Sequence, residues 1–181
     1  MAQRNGPRTG PVINICLTGF MCAGKTRSGA ALARALKRPF ADCDALLERK
    51  HGASPADLIN KKGLGHFRTL ETALVRSLAE SDGQVIALGG GFYPSGSRAA
   101  LLKKAGLTVF LYCPWPELEE RLKSSRAGRP LLAGPWAEAA PRAKKLYEAR
   151  LPYYRRADII VNVAGLNPAQ TAVKLKRSLQ L

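Results

Sequence analysis

Residues 12–26, VINICLTGFMCAGKT, are the stretch that decides the fold. Val12–Thr18 is mostly apolar and rich in β-branched residues, which predicts a buried strand. Gly19–Thr26 fits the pattern G-x-x-x-x-G-K-[ST], and the Ala-, Leu- and Arg-rich segment Lys25–Lys37 predicts a helix. A glycine-rich loop between a buried strand and a helix is the arrangement of a phosphate-binding P-loop.

The P-loop predicts that the chain binds a nucleoside triphosphate. Backbone N–H groups at the start of the helix would surround phosphate oxygens, because a helix N-terminus carries unpaired donors. Lys25 would reach the β- and γ-phosphates, and the Thr26 hydroxyl would bind Mg²⁺. Switches, motors and transporters also contain P-loops, so the class of protein depends on the rest of the sequence.

At 181 residues the chain fits a single domain. No apolar run approaches the roughly 18 residues that a membrane-spanning helix needs, so we expect no membrane partner. Residues 1–11 are polar and lack the apolar stretch of a signal peptide. We expect them to form a flexible tail before a domain at 12–181.

Four cysteines are scattered along the chain: Cys16, Cys22, Cys43 and Cys113. Their spacing fits neither a disulfide framework nor a zinc site. We therefore interpret them as small buried apolar residues and expect a reducing, cytoplasmic location.

The chain carries 29 Lys and Arg against 13 Asp and Glu, a formal net charge of +16. This charge favours anionic partners through long-range attraction. The cations are dispersed as pairs such as Lys61-Lys62 and Arg155-Arg156, which is typical of solvated surfaces. We do not expect nucleic acid as a partner, although a basic P-loop module that binds nucleic acid remains the alternative outside the enzyme class.

Strand-like segments alternate with helix-like ones along the chain. Further strands are predicted at Gln84–Leu88, Thr108–Tyr112 and Ile159–Val161. Helices are predicted to begin at Ser54-Pro55 and Asn167-Pro168, and another from Ala137 to Arg150, ending near Pro152. This order predicts a three-layer α/β/α fold with a parallel sheet, in which ligands bind beyond the carboxyl ends of the strands.

Two aspartates stand at the end of the second predicted strand, whose last residues are Phe40-Ala41-Asp42-Cys43-Asp44. If the chain stays extended, Asp42 and Asp44 project to the same side just beyond the strand. Such a pair suits Mg²⁺ and the hydroxyl group of an acceptor. Acidic residues that complement a helix N-terminus explain the same pattern equally well.

An arginine and a glycine-rich turn complete the candidate site. Arg68 and Glu71 are three residues apart on one predicted helix face, where the carboxylate can orient the guanidinium to receive another carboxylate. Gly89–Gly91 follow the third strand, and glycines there allow a ligand to approach the backbone closely.

Taken together, these motifs resemble those of the shikimate kinase family. The family carries a P-loop, a D-x-D, an F-R-x-x-E helix, a G-G-G turn, an R-P-L-L lid and an R-x-P-x-Y. This sequence has all six in order: Gly19–Thr26, Asp42 with Asp44, Phe67-Arg68 with Glu71, Gly89–Gly91, Arg129–Leu132 and Arg150–Tyr154. The match runs from about Val12 to the C-terminus.

The resemblance implies a P-loop kinase fold, with a five-stranded parallel sheet in the order 2-3-1-4-5 and a mobile lid. It also implies Mg²⁺-dependent transfer of the ATP γ-phosphate to the 3-hydroxyl of shikimate, in aromatic amino acid biosynthesis through chorismate. We expect a monomer. The arginines favour an acceptor that bears a carboxylate but do not identify its ring, so a kinase for another hydroxy-acid, such as gluconate, remains the nearest alternative.

Residue roles follow from the same resemblance. The nucleotide-binding set is Cys22, Ala23, Gly24, Lys25, Thr26, Arg27, Arg121 and Arg129. The acceptor-binding set is Asp44, Arg68, Gly89, Gly90, Gly91 and Arg150. Thr26 and Asp42 would hold the metal, and the catalytic residues would be Lys25, Asp44 and Arg129.

Residues 124–135 are polar, basic and interrupted by Gly and Pro, which predicts the mobile lid. We expect few of them to join the core. Lid closure would bring Arg129 to the transferring phosphate, whereas Arg126 is interpreted as an ordinary loop charge.

The sequence departs from the family pattern at three places. Cys22 stands where the P-loop of the family has glycine, which predicts a local shift in backbone geometry. Leu64 replaces the Glu of G-E-x-x-F-R, and Gly165-Leu166 stands where some members place an arginine that stacks on adenine.

Overall fold

The computed structural model describes residues 12–93, 96–125 and 129–181. The predicted tail at 1–11 and the loop residue Arg126 lie outside the described residues. Within the described ranges, no helix is both long enough and apolar enough to cross a membrane.

The described chain folds as a parallel sheet between helices. The strands are β1 (Ile15–Thr18), β2 (Phe40–Asp42), β3 (Val85–Ala87), β4 (Leu107–Tyr112) and β5 (Ile159–Asn162). The helices are α1 (Lys25–Leu36), α2 (Cys43–His51), α3 (Pro55–Leu78), α4 (Ser97–Ala105), α5 (Trp115–Ser124), α6 (Trp136–Tyr154) and α7 (Pro168–Ser178), with a 3₁₀ helix at Pro130–Leu132. The predicted strand order is confirmed as β2-β3-β1-β4-β5.

The central strand β1 is buried over its whole length, as its apolar sequence predicts. Ile15 is in register with Val85 of β3 on one side and with Leu107 of β4 on the other. Because all strands run in the same direction, the turns that follow β1, β2 and β3 meet at one edge of the sheet. That edge carries the P-loop, the two aspartates and the three glycines.

Two helices differ from the prediction in their details. Helix α3 contains a break at Gly63, whose φ of 82° and ψ of 158° are not helical. Helix α6 does not end near Pro152 but continues to Tyr154. Proline in the last turn removes only a terminal backbone hydrogen bond, and the fully buried ring of Tyr154 holds that turn against the core.

Helix α3 packs against α2 through an apolar stripe. Phe67 is buried with Leu47 of α2 and with Leu58, which lies on the other side of the break, while Leu70 and Leu74 pack against this cluster. Both halves of α3 therefore rest on α2.

Helix α1 approaches the sheet most closely at Gly29, and this contact fixes the helix that begins at the P-loop. A Cβ atom at Gly29 would lie 2.7 Å from the Phe40 ring and 3.0 Å from Leu17. Both neighbours belong to the sheet, so a larger residue at this position would push α1 away from it.

We predict that Gly29→Ala lowers the free energy of unfolding by about 1–3 kcal/mol, the usual cost of overpacking a core. The matched control is Gly65→Ala, because the added Cβ would meet nothing within 4 Å there. That variant should be neutral or more stable by up to about 1 kcal/mol, because alanine favours a helix. Urea denaturation of both variants measures the difference, and equal midpoints would contradict the close packing of α1.

Candidate active site

The P-loop joins β1 to α1 in the conformation that the motif requires. Gly24, with a φ of 96°, precedes the first residue of α1. The ammonium group of Lys25 folds back over the loop and donates to the carbonyl oxygens of Gly19 at 2.8 Å and Phe20 at 3.0 Å. Burial lowers the pKa of Lys25, whereas the charges of Asp44 and Asp42 raise it.

Cys22 occupies the P-loop position where glycine was expected. Its φ of 61° is left-handed, a conformation that costs a residue with a Cβ about 1–2 kcal/mol. The loop therefore keeps a glycine-like backbone in spite of the substitution. The Cys22 sulfur accepts a hydrogen bond of 2.8 Å from Nη1 of Arg129.

Thr26 and Asp42 form the oxygen-rich corner of the site. The Thr26 hydroxyl donates to Oδ2 of Asp42 at 2.6 Å, while Oδ1 of Asp42 accepts from the backbone of Ala45 at 3.1 Å. Hydroxyl and carboxylate oxygens are hard donors that suit Mg²⁺, which keeps waters and takes further ligands from bound phosphates. Among the described residues no cluster of three or more His, Cys, Asp and Glu side chains could hold a metal.

Asp44 does not follow Asp42 along an extended strand, and that prediction was wrong. Strand β2 ends at Asp42, which is the N-cap of α2, and Asp44 lies in the first turn of that helix. Both acids thus complement a helix N-terminus, as the alternative interpretation held. Burial raises the pKa of Asp44, and the nearby charge of Lys25 opposes this shift.

The three glycines after β3 make room for charged side chains. A Cβ atom at Gly89 would collide with Glu71 and would lie 2.9 Å from the Asp44 carboxylate. A Cβ atom at Gly91 would overlap the guanidinium group of Arg68. A side chain at either position would therefore displace the Arg68 or Glu71 side chain, so protein atoms favour glycine here, in addition to the ligand that the sequence analysis invoked.

Gly90 lies between them and faces the P-loop. A Cβ atom at Gly90 would be 3.5 Å from the backbone nitrogen of Met21. The carbonyl oxygen of Gly90 accepts hydrogen bonds from the Tyr154 hydroxyl and, at 3.0 Å, from Nη1 of Arg150. Both donors come from the last turns of α6, so this helix end is fixed to the glycine turn.

Arg68 and Glu71 form the predicted ion pair on α3. The Glu71 side chain is only 2% exposed and that of Arg68 is 20% exposed. Burial raises the pKa of Glu71, and the charge of Arg68 and its hydrogen bond lower it. The pair therefore neutralises a buried carboxylate while it leaves part of the guanidinium accessible.

These groups surround one cavity of about 940 Å³. Its lining includes the predicted site residues Lys25, Asp44, Arg68, Arg121, Arg129 and Arg150. The metal-site residues Thr26 and Asp42 also lie on its wall, as do the P-loop residues from Cys22 to Arg27. Residues that are distant in sequence thus meet in one concave space, lined by the P-loop and by several arginines.

Arg121 is attached to the loop that follows β5. It pairs with Glu117 one helical turn earlier on α5 and donates to the carbonyl oxygen of Val163 at 3.3 Å. Glu117 in turn accepts from the backbone nitrogen of Gly165 at 2.8 Å. The Gly165 loop thus borders the wall that carries Arg121, although it lacks the stacking arginine of some family members.

Few of the described residues of the predicted lid join the core, as expected, but those few anchor it. Arg129 precedes the 3₁₀ helix, and Leu132 at the end of that helix is buried in the main core. Leu131 also packs against this core. One side of the segment is therefore anchored, and Arg129 extends from the anchored side into the cavity.

Sequence reasoning gave no role to two residues that support the site. Tyr154 belongs to the R-x-P-x-Y motif, and that motif was the signal that could have revealed its bond to Gly90. Arg98 in the first turn of α4 donates to the carbonyl oxygen of Gly91 at 3.2 Å. It stands in no motif, so nothing in the sequence indicated this contact.

Comparison with known proteins identifies what the chain resembles. The family model described as shikimate kinase matches residues 21–180. The shikimate kinase of Aquifex aeolicus is 38% identical over 162 residues, which cover 90% of this chain and 92% of that protein. A shikimate kinase of Thermus thermophilus is 40% identical over 166 residues, covering 91% and 88%.

A solved structure agrees with these relatives. The shikimate kinase of Acinetobacter baumannii, determined in complex with shikimate, superimposes with a TM-score of 0.84 at 34% identity. The alignment covers 95% of this chain and 94% of that one.

We predict that Arg68→Ala destabilises the fold by about 3 kcal/mol at neutral pH, because it leaves the Glu71 carboxylate buried without its cation. Without Arg68, the folded-state pKa of Glu71 rises further above its unfolded value. Stability of the variant is then greatest when Glu71 is protonated, and it decreases as the pH rises through the raised pKa. Urea denaturation between pH 5 and 8 should show a loss, relative to the parent chain, that grows with pH.

The control for this experiment is the double variant Arg68→Ala/Glu71→Gln. It removes the titrating group, so the growth of the loss with pH should disappear. If the double variant keeps the same pH dependence, the effect does not come from Glu71.

Proposed function

The chain belongs to the shikimate kinase family, whose members are ATP-dependent kinases that transfer phosphate to shikimate, and we propose that its cavity transfers the ATP γ-phosphate to the 3-hydroxyl of shikimate. One observation carries the proposal for this chain. The cavity holds Lys25 of the P-loop, the half-buried Asp44, and the two arginines Arg68 and Arg150 within a single space. An acceptor that bears both a carboxylate and hydroxyl groups matches that arrangement.

At the phosphate end, the N–H groups of the P-loop bind the phosphate oxygens of ATP. Lys25, which lies on the carbonyls of Gly19 and Phe20, is within reach of the γ-phosphate. Thr26 and Asp42 would hold Mg²⁺, which would supply positive charge beside the phosphates. Arg121 lies on the wall that leads to the Gly165 loop, where the nucleoside is accommodated.

At the other end, Arg68 and Arg150 bind the acceptor carboxylate. Guanidinium groups are suited to this task because their planar N–H groups match the two carboxylate oxygens. Arg68 donates a hydrogen bond to Glu71, and Arg150 donates one to the Gly90 carbonyl oxygen, so each guanidinium group is held in place. The absence of a side chain at Gly90 lets the acceptor ring approach the backbone.

Asp44 accepts the proton of the reacting hydroxyl. Its pKa, raised by burial and restrained by Lys25, brings its basicity closer to neutral pH than that of an exposed aspartate. The hydroxyl oxygen bonds to the γ-phosphorus as the bond to the β–γ bridging oxygen breaks. The proton passes to Asp44, and ADP carries away the bridging oxygen.

Arg129 stabilises the charge of the phosphoryl group in transit. It already extends into the cavity beside the P-loop, and an arginine that contacts the equatorial oxygens lowers the barrier of such reactions. We propose that residues 124–135 act as the lid whose movement completes this contact.

We further propose that the chain works as a monomer in the cytoplasm. All four cysteines are free, as in a reducing compartment. Sedimentation velocity at micromolar concentration tests the oligomeric state, and fractionation of the source cells tests the location.

An ADP-release assay with Mg²⁺ and a panel of hydroxy-acids tests the function. We predict turnover with shikimate and at most background rates with gluconate or quinate. Lys25→Ala should reduce turnover to background while circular dichroism stays unchanged, because the lysine charge serves the phosphate. Equal rates with gluconate, or full activity of Lys25→Ala, would contradict the proposal.

We predict that Arg150→Ala raises KM for shikimate by about 10- to 100-fold, since a hydrogen bond to a charged group contributes about 1.5–3 kcal/mol. KM for ATP should change less than threefold. Lys144→Ala is the matched control, because it removes one positive charge from an exposed position of the same helix. A larger effect on ATP than on shikimate would place the carboxylate elsewhere in the cavity.

A further inference from the structure

The Cys22 side chain joins the P-loop to the segment that carries Arg129. Its sulfur accepts a hydrogen bond of 2.8 Å from Nη1 of Arg129, the residue before the 3₁₀ helix. One P-loop atom thus connects to the start of that helix.

The backbone at this position makes the side chain noteworthy. With a φ of 61°, residue 22 has a conformation that glycine adopts freely and other residues adopt at a cost. A cysteine side chain here is therefore opposed by the local geometry. The hydrogen bond from Arg129 is the interaction that it gains.

We infer that Cys22 is a positioning residue that orients Arg129 toward the transferring phosphate, and that the contact persists through the reaction. The inference rests on the function proposed above for Arg129. A guanidinium group has five N–H donors, and the sulfur takes one on Nη1. The remaining donors stay available for phosphate oxygens, so the two contacts do not compete.

The inference assigns the effect of Cys22 to the transition state. The donor is a charged guanidinium, but the cysteine sulfur is a weak acceptor, so the bond contributes modestly, which corresponds to about a two- to tenfold change in rate. Because the oriented guanidinium matters most when charge develops on the phosphoryl oxygens, the change belongs in kcat. The backbone N–H groups of the P-loop hold the ground-state phosphates and are unaffected by the side chain.

Three substitutions separate the side-chain contact from the backbone. Cys22→Ala and Cys22→Gly both remove the sulfur, and only Gly also removes the left-handed strain. We expect both to lower kcat by about three- to tenfold with KM for ATP within twofold, while Gly raises the melting temperature relative to Ala. Cys22→Ser keeps an acceptor atom and should recover more than half of the lost rate. Activity of the Ala variant equal to that of the parent chain, or a loss confined to KM for ATP, overturns the inference.

A double-mutant cycle with Arg129→Ala distinguishes this inference from the proposed function. Arg129→Ala alone should lower kcat by about 100-fold or more. In that background, Cys22→Ala should have no further effect on kcat, because the group that it orients is gone. If Cys22→Ala lowers kcat equally in both backgrounds, the sulfur acts independently of Arg129 and the inference is wrong. If Arg129→Ala keeps the kcat of the parent chain, the role proposed for Arg129 fails, and this inference fails with it.

Discussion

The ion pair between Arg68 and the buried Glu71 fixes the geometry on which the acceptor end of the cavity depends. A carboxylate in this position is stable only if a cation neutralises it, so α3 must hold Arg68 against the sheet edge. The turn after β3 must in turn leave space, which explains the absence of side chains at Gly89 and Gly91. With that turn in place, the Gly90 carbonyl oxygen accepts hydrogen bonds from Arg150 and Tyr154. These bonds fix the C-terminal end of α6 against the turn.

The fold and the membership of the cavity were largely predictable from sequence. The P-loop motif, the apolar strands and the spacing of the helices specified the parallel sheet, and parallel connectivity places successive turns at one edge. For that reason Lys25, Asp44 and Arg68 meet in space as expected. Each of them lies within a few residues of a strand end or on a helix beside that edge.

Details that depend on tertiary contacts were not predictable. The backbone conformation of Asp44 was predicted wrongly, because the residues that follow a strand can either extend it or begin a helix. The Asp42 side chain accepts a hydrogen bond from the backbone of Ala45, and this N-cap stabilises the helix. The extent of α6 depends on the burial of Tyr154, and the anchoring of the lid segment depends on Leu132. The core residues that pack against Tyr154 and Leu132 are distant in sequence, so the local sequence pattern does not reveal these contacts.

The break at Gly63 divides α3 into two parts that contribute different residues to the cavity wall. The part before it contributes Ala56, Ile59 and Asn60 to the cavity wall, and the part after it carries Arg68 and Glu71. No atom would obstruct a Cβ at Gly63, so its left-handed backbone, rather than crowding, requires glycine there. The two parts are consequently separate modules of the cavity wall, and variation among residues 55–62 can change the shape of that wall without moving the Arg68–Glu71 pair.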